Sequence, residues 1–188
     1  DKYGQKLVYS STVPEYNKDK RRDVEKQFLT KYMAPRLLGK ESIVTSNFGA
    51  RPENKGVGTV YHKGIDFRAQ KGSNVYAFGD GKVIKAGVRN GFGNVVAIQL
   101  PDGTVTQSAH LDNIAVKVGD VVKQGDLIGH SGASGTKQGR YISDAYSPHL
   151  DQTFYKDKSL NVAIDPVDYM LKTLNKDYKN YVENPTKQ

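Results

Sequence analysis

Short apolar runs separated by glycine-containing turns occupy the chain from Ser42 onward. They recur at a spacing of roughly ten residues, which is typical of an all-β sandwich or barrel-like domain. The clearest runs are 75–77, 81–87, 94–100, 104–110, 114–118 and 126–130. Pro101-Asp102-Gly103 separates two of these runs and predicts a tight hairpin. The pattern therefore predicts a mainly β fold of the sandwich or barrel-like type.

A helix is predicted on each side of this β region. Apolar residues four apart, such as Phe28 and Tyr32, predict a helix from about residue 15 to residue 33, which Pro35 should end because it lacks an N–H. Asp165-Pro166 predicts an N-cap and the start of a second helix that extends to about Val182. We therefore divide the chain into an arm and helix (1–41), a core (42–164), and a helix and tail (165–188).

The composition limits the classes of protein to which the chain can belong. Its 188 residues suffice for one domain with a full hydrophobic core. No apolar run approaches the ~18 residues of a membrane-spanning helix, so no membrane partner is expected. The net charge of +8 favours a polyanionic partner such as an acidic cell wall, although a solvated lysine-rich surface explains it equally well. No basic run is interleaved with aromatic residues, so no nucleic-acid partner is expected.

Cysteine is absent, which suits an extracellular protein from a cell that does not rely on disulfides. Any bound metal must therefore be held by His, Asp, Glu or backbone oxygen. His62 and Asp66 have the types and spacing of two such ligands. In an extended segment His62, Gly64 and Asp66 face the same way, and Gly64 leaves room between the two side chains. A surface or turn histidine is the alternative interpretation of this pair.

A second pair, His149 and Asp151, also shares one face of a predicted strand. The chain has only four histidines, and three of them lie at or just beyond the end of an apolar run. This concentration favours a functional site that includes His62, His110 and His149. The polar loop from Ser131 to Pro148 follows directly on the last β run and is long enough to shape such a site.

Five motifs occur in a fixed order along the chain: Tyr61–Asp66, Ala109–Leu111, Val118–Gly125, Ile128–Gly132 and His149-Leu150. Together they resemble the lysostaphin-like, LytM-type metalloendopeptidases of family M23. The resemblance covers about Thr45 to Val167. It implies the compact antiparallel β-fold of the LytM type (duplicated hybrid motif-like), one Zn²⁺ ion, and hydrolysis of peptide bonds in the stems or cross-bridges of peptidoglycan.

The resemblance also implies roles for individual residues. His62 and Asp66 match two zinc ligands, and His110 and His149 match the histidines that flank the attacking water and the developing oxyanion. His130 matches a position that is not a ligand. The implied location is outside the cell or at the cell wall, including as part of a phage particle.

The chain departs from the family pattern at Asp151. The pattern there is His-x-His, and its second histidine is the third zinc ligand. Because an aspartate can also ligate zinc, we predict Asp151 as that ligand; the alternative is a carboxylate that is only hydrogen-bonded nearby. Two aspartates would cancel the charge of a divalent cation and make its bound water less acidic. A rival hypothesis is therefore a catalytically impaired or inactive domain, used for cell-wall binding or as a structural module of a phage tail or secretion machine.

Overall fold

The structure is a computed structural model that describes residues 23, 25–50 and 61–173. Short β-strands dominate it. They are β1 (Val44–Ser46), β2 (Gly49–Ala50), β3 (Tyr61–His62), β4 (Gly64–Arg68), β5 (Asn74–Tyr76), β6 (Gly81–Arg89), β7 (Gly93–Gln99), β8 (Val105–Ile114), β9 (Val121–Val122), β10 (Leu127–Ser131), β11 (Gly135–Lys137), β12 (Arg140–Ile142), β13 (His149–Tyr155) and β14 (Ala163–Ile164). A helical segment, α1 (25–38), precedes them and α2 (Pro166–Thr173) follows them. Among the described helices, none has the length and apolar character needed to cross a membrane.

One antiparallel sheet forms the body of the fold. Its main path runs β1-β4-β13-β8-β7-β6-β9, while β10 pairs with β5 and β8, and β14 pairs with β13. The strands β2 and β3 form one separate pair, and β11 and β12 form another. The prediction of a mainly β, antiparallel fold is confirmed. Strand β13 lies between β4 and β8, so its residues occupy the interior of the sheet.

The predicted hairpin at Pro101-Asp102-Gly103 connects β7 to β8. The backbone N–H of Thr104 donates to Asp102 Oδ1 over 2.9 Å, and Gly103 adopts a φ of 88°. Such a positive φ is accessible to glycine without the steric cost that a Cβ would bring. The strand predicted to end at His110 continues without a break to Ile114 as β8.

The predicted end of the first helix at Pro35 is wrong. The helix passes through a π-helical turn, Leu29–Met33, and continues as an α-helical segment from Ala34 to Leu38. Pro35 therefore lies in the first turn of a new segment, where a missing N–H costs little. The helix ends instead at Gly39, whose φ is 68° and whose N–H donates to Pro35 O over 3.0 Å. The predicted residues 15–22 lie outside the described part of the chain.

The predicted cap of the second helix is confirmed. Asp165 Oδ1 accepts a hydrogen bond of 2.8 Å from the N–H of Val167. The helix α2 begins at Pro166, as the sequence indicated, and the predicted extension beyond Thr173 lies outside the described residues. The segment 131–148, predicted as a loop, contains the small hairpin of β11 and β12.

The main hydrophobic core joins both helices to one face of the sheet. Leu29 and Met33 of α1 and Met170 of α2 belong to the same buried cluster as Leu150 and Phe154 of β13. Each large apolar side chain buried in this way contributes about 1.5–3 kcal/mol to folding. Because side chains alternate along a strand, the residues between the core-facing ones on β13 point to the opposite face. The functional residues of β13 lie on that face.

Candidate metal and catalytic site

The structure brings His62 and Asp66 together. His62 Nε2 lies 3.3 Å from Asp66 Oδ1. Both residues were predicted on one strand, whereas the structure divides the segment into β3 and β4 with a bend at Lys63. The bend does not separate the two side chains, so the predicted pairing is present despite the broken strand.

Asp151 completes the predicted set of ligands. It lies on β13 directly opposite Asp66 on β4, and its Oδ2 is 3.8 Å from His62 Nε2. One candidate ligand atom from each of His62, Asp66 and Asp151 lies within 4.8 Å of the other two. The side chains of His62 and Asp151 are each 8% exposed. These distances are those of groups that can share one small cation.

Gly64 leaves the space that Asp151 occupies. A Cβ on Gly64 would lie 2.2 Å from Asp151 Oδ1 and 2.7 Å from Thr153 Oγ1, both closer than non-bonded atoms approach. The hydroxyl of Thr153 donates to Asp151 Oδ1 over 3.2 Å. The space left by Gly64 and the hydrogen bond from Thr153 therefore both act on Oδ1 of Asp151 and together set the position of its carboxylate.

The candidate catalytic histidines lie beside these ligands. His110 Nε2 is 3.8 Å from Asp151 Oδ2, and His149 Nε2 is 3.9 Å from Asp66 Oδ1. The centroids of the two imidazole rings are 4.7 Å apart. The fourth histidine, His130, instead has its Nδ1 2.7 Å from Asn113 Oδ1 and is not part of this cluster.

All three histidines of the site are oriented by main-chain carbonyl groups. A carbonyl oxygen can only accept a hydrogen bond, so each Nδ1 carries a hydrogen, and a ring in its neutral form presents the lone pair of Nε2 to the site. The N···O distances are 3.0 Å from His62 to Asn47, 2.7 Å from His110 to Ser134 and 2.6 Å from His149 to Ser147.

His110 has an unusual backbone conformation. Its φ is 58°, in the left-handed region that non-glycine residues rarely adopt, at a cost of about 1–2 kcal/mol. Its N–H donates to Phe92 O over 2.9 Å, next to a register irregularity between β7 and β8. This conformation redirects the His110 side chain where regular strand geometry would alternate it, and strain of this kind is concentrated at functional sites.

The buried charges of the site affect one another. Burial would lower the pKa of His62, but the carboxylates of Asp151 and Asp66 outweigh it and raise the pKa to about 9. Burial would raise the pKa of Asp151, but the hydrogen bond to His62 and the electrostatic effects of His62, His110 and His149 outweigh burial and lower this pKa. In the metal-free protein His62 is thus an imidazolium between two carboxylates at neutral pH. Burial lowers the pKa of His110, which keeps that ring neutral.

Two aromatic residues that the sequence analysis did not assign to the site also lie there. The Tyr146 ring is 4.8 Å from the His110 ring and 6.4 Å from the His149 ring, centroid to centroid. Its hydroxyl is 3.4 Å from Gly91 O. The ring of Phe92 stacks on the His110 ring, with the centroids 6.4 Å apart. The only signal for Tyr146 was its place in the polar loop just before His149.

The residues present fit a zinc ion. One imidazole nitrogen and two carboxylate oxygens are zinc ligand types, and their convergence leaves further coordination positions for water and substrate. The conserved feature of such sites, a ligating histidine whose other nitrogen donates to an oxygen, is present at His62. The site therefore combines groups that can hold a divalent metal ion with two neighbouring imidazoles.

The comparisons with known proteins identify the family. The family model described as Peptidase family M23 matches residues 60–166, and the chain belongs to that family. It is 37% identical over 100 residues to the peptidoglycan DD-endopeptidase ShyB of Vibrio cholerae, covering 53% of this chain and 24% of ShyB. The chain spans a third or less of the length of the curated relatives it matches.

Two solved structures are similar over most of the described chain. The catalytic domain of the antimicrobial peptidase lysostaphin from Staphylococcus simulans has a TM-score of 0.58 and 32% identity, covering 68% of this chain and 91% of that domain. A zinc-containing peptidase from Vibrio cholerae has a TM-score of 0.53 and 33% identity, covering 65% of this chain and 35% of that one. The LytM-type fold predicted from the motifs is confirmed.

Proposed function

We propose that this chain is a zinc-dependent endopeptidase domain that hydrolyses peptide bonds in the stems or cross-bridges of peptidoglycan. The observation that carries the proposal is the convergence of His62, Asp66 and Asp151 beside His110 and His149. We assign the activity to the core, residues 42–164, with the flanking segments 1–41 and 165–188 outside it. The location proposed for the activity is the cell wall, outside the cell.

In this proposal His62, Asp66 and Asp151 hold the ion. When bound, a zinc ion polarises a carbonyl oxygen and lowers the pKa of coordinated water. Asp151 and Asp66 carry negative charge across from each other on adjacent strands, and His62 supplies a nitrogen once it has lost its proton. The hydrogen bond from Thr153 and the space above Gly64 keep the Asp151 carboxylate turned toward the other two ligands.

The two remaining histidines, His110 and His149, accept and donate protons in this proposal. His110 is neutral because burial lowers its pKa, and its Nε2 faces the site, so it can accept a proton from the attacking water. A ring protonated in this way becomes a donor that can pass the proton to the leaving amine. His149 presents Nε2 to the site beside Asp66, and once this nitrogen carries a proton it can stabilise the developing oxyanion by a hydrogen bond.

Peptidoglycan is proposed as the substrate because of the family and its members. ShyB acts on peptidoglycan, and lysostaphin is an antimicrobial peptidase. The net charge of +8 also favours approach to an acidic cell wall. The presence of zinc in a solved relative supports the choice of ion.

The proposal is tested by measuring zinc content and the clearing of purified cell walls, followed as a loss of turbidity. His110→Ala and His149→Ala should each reduce clearing by at least about a hundredfold, as expected for loss of a general acid–base group, while zinc content stays unchanged. His130→Ala is the matched control, because His130 lies outside the cluster, and it should clear walls at the parent rate.

Two results would contradict the proposal. Clearing that survives either alanine substitution in the site would show that the histidines do not catalyse the reaction. A parent protein that binds walls without releasing peptides from any wall preparation would favour the rival hypothesis of a binding or structural module.

A further inference from the structure

We infer that Asp151 makes this metal centre less selective for Zn²⁺ over harder divalent cations, in particular Mn²⁺. The inference rests on the metal site of the proposed function, and it adds which ions that site accepts. It is drawn from the donor atoms that the described residues supply, their charge and their freedom to move.

The donor set contains one nitrogen and two carboxylate groups. Imidazole suits zinc and the later transition metals, whereas carboxylates and water suit magnesium, calcium and manganese. Replacing an imidazole by a carboxylate therefore lowers the affinity for zinc more than the affinity for manganese. Zinc still binds more tightly than manganese in the usual order of divalent affinities, so we expect a smaller difference in affinity between the two ions.

Charge acts in the same direction. The two carboxylates of Asp66 and Asp151 balance a divalent ion, and both lie in a site whose side chains are at most 14% exposed. Attraction between a cation and a buried anion depends on charge and distance and is the same for any divalent ion of similar radius. A centre held together mainly by this attraction discriminates less between ions than one held by two imidazole nitrogens.

Asp151 has little freedom to leave the site. Its strand is paired on both sides, with Asp66 of β4 opposite on one side and Ala109 of β8 on the other. Thr153 donates to one of its oxygens, and the other oxygen lies 3.8 Å from both His62 and His110. A carboxylate so placed is available as a ligand without a change in the backbone.

The test is to measure the dissociation constants of Zn²⁺ and Mn²⁺ separately on the metal-free protein. Competition with a chromophoric chelator reports zinc, and the paramagnetic resonance signal of free Mn²⁺ reports manganese. The variants are Asp151→His, which restores a second imidazole, and Asp151→Asn, which keeps the shape and removes the charge. Asp80→Asn is the charge-matched control, because Asp80 lies on the surface and pairs with Lys123. Circular dichroism and thermal unfolding confirm that each variant is folded.

The ratio of the manganese to the zinc dissociation constant should be at least about tenfold larger in Asp151→His than in the parent protein. Asp151→Asn should weaken manganese binding by at least about tenfold and zinc binding by less, and Asp80→Asn should match the parent. If Asp151→His does not fold, the Asn variant decides the matter alone. Equal ratios in the parent and in Asp151→Asn would overturn the inference, as would a parent that binds neither ion. Wall clearing is measured separately, so a metal centre of the expected selectivity without hydrolysis would refute only the proposed function.

Discussion

Replacing Gly64 by alanine should damage the metal site more than the fold. The new methyl group would lie 2.2 Å from Asp151 Oδ1, 2.7 Å from Thr153 Oγ1 and 2.9 Å from the main-chain oxygen of Gln152. Restoring a contact of 3.0 Å with the carboxylate requires a shift of about 0.8 Å, and metal–ligand distances tolerate only about 0.2 Å. The contact with Gln152 cannot be relieved by a side-chain rotation, so β4 and β13 must also separate slightly.

The cost can be estimated from these contacts. Overpacking at a buried position typically costs about 1–3 kcal/mol, and the entropy that alanine removes from the unfolded chain offsets about 0.4–1 kcal/mol. We therefore expect Gly64→Ala to lower the free energy of unfolding by about 1–2 kcal/mol and zinc affinity by more than about tenfold. Urea unfolding of the metal-free protein measures the first quantity, and chelator competition measures the second.

Gly79→Ala is a suitable control for this prediction. A Cβ on Gly79 would meet only the Cδ2 methyl of Leu100, at 3.3 Å, and that methyl can move. This variant should keep the parent's zinc affinity. If Gly64→Ala binds zinc as tightly as Gly79→Ala does, the argument that Gly64 provides the space for a ligating Asp151 fails.

Three further predictions concern stability and activity. Burial, together with the charges of nearby acids, raises the pKa of Asp165 to about 6, although the hydrogen bond from Val167 acts to lower it. The folded protein therefore binds this proton more tightly than the unfolded chain, in which the pKa is about 4. The contribution of this proton to folding stability is complete below about pH 4 and is lost as the pH rises through about 6. Asp165→Asn keeps the cap without the charge, so its free energy of unfolding should be higher than that of the parent at pH 7–8. This difference should shrink toward pH 4, and a difference that stays constant over the range would contradict the prediction. Arg89→Met should lower the free energy of unfolding, measured in urea, by about 3 kcal/mol, because Arg89 on β6 donates three hydrogen bonds, to β8, to β13 and to the segment that follows β13. Arg140 is exposed, so Arg140→Met should leave the free energy of unfolding nearly unchanged. Tyr146→Ala should slow wall clearing by about tenfold with zinc content unchanged, because the Tyr146 ring packs against His110 and His149 and a misplaced catalytic group lowers the reaction rate. An unchanged rate would show that the ring does not position these histidines.

Much of the fold follows from local patterns in the sequence. The alternation of apolar runs and glycine turns predicted a mainly β domain. The hairpin at residues 101–103 and the cap at Asp165 were predicted because each depends on a few neighbouring residues. The continuation of the helix past Pro35 was missed because the π-helical turn Leu29–Met33 leaves Pro35 in the first turn of the next segment, where proline is tolerated. The hairpin of β11 and β12 was missed because its short, polar strands have no alternation.

The site was predictable in its membership and not in its geometry. His62, Asp66, His110 and His149 were identified from motifs that specify residue types at fixed spacings. Asp151 was identified because it shares a strand face with His149 and occupies the position of a ligating histidine in the family pattern. The left-handed conformation of His110 follows from an irregular pairing of β7 with β8, which involves residues far apart in the chain. Tyr146 was not identified because its contact with His110 joins residues far apart in the chain and has no fixed sequence spacing. The assignment of roles to these residues stays a prediction.

The carbonyl groups that orient the three histidines have a consequence for how the sequence can vary. The acceptors belong to the main chain of Asn47, Ser134 and Ser147, and every amino acid supplies the same carbonyl. Substitutions at these positions can preserve the tautomer and direction of each imidazole provided that the local backbone is unchanged. The orientation of the histidines is therefore inherited through the path of the chain, and relatives can share it without sharing any of the three side chains.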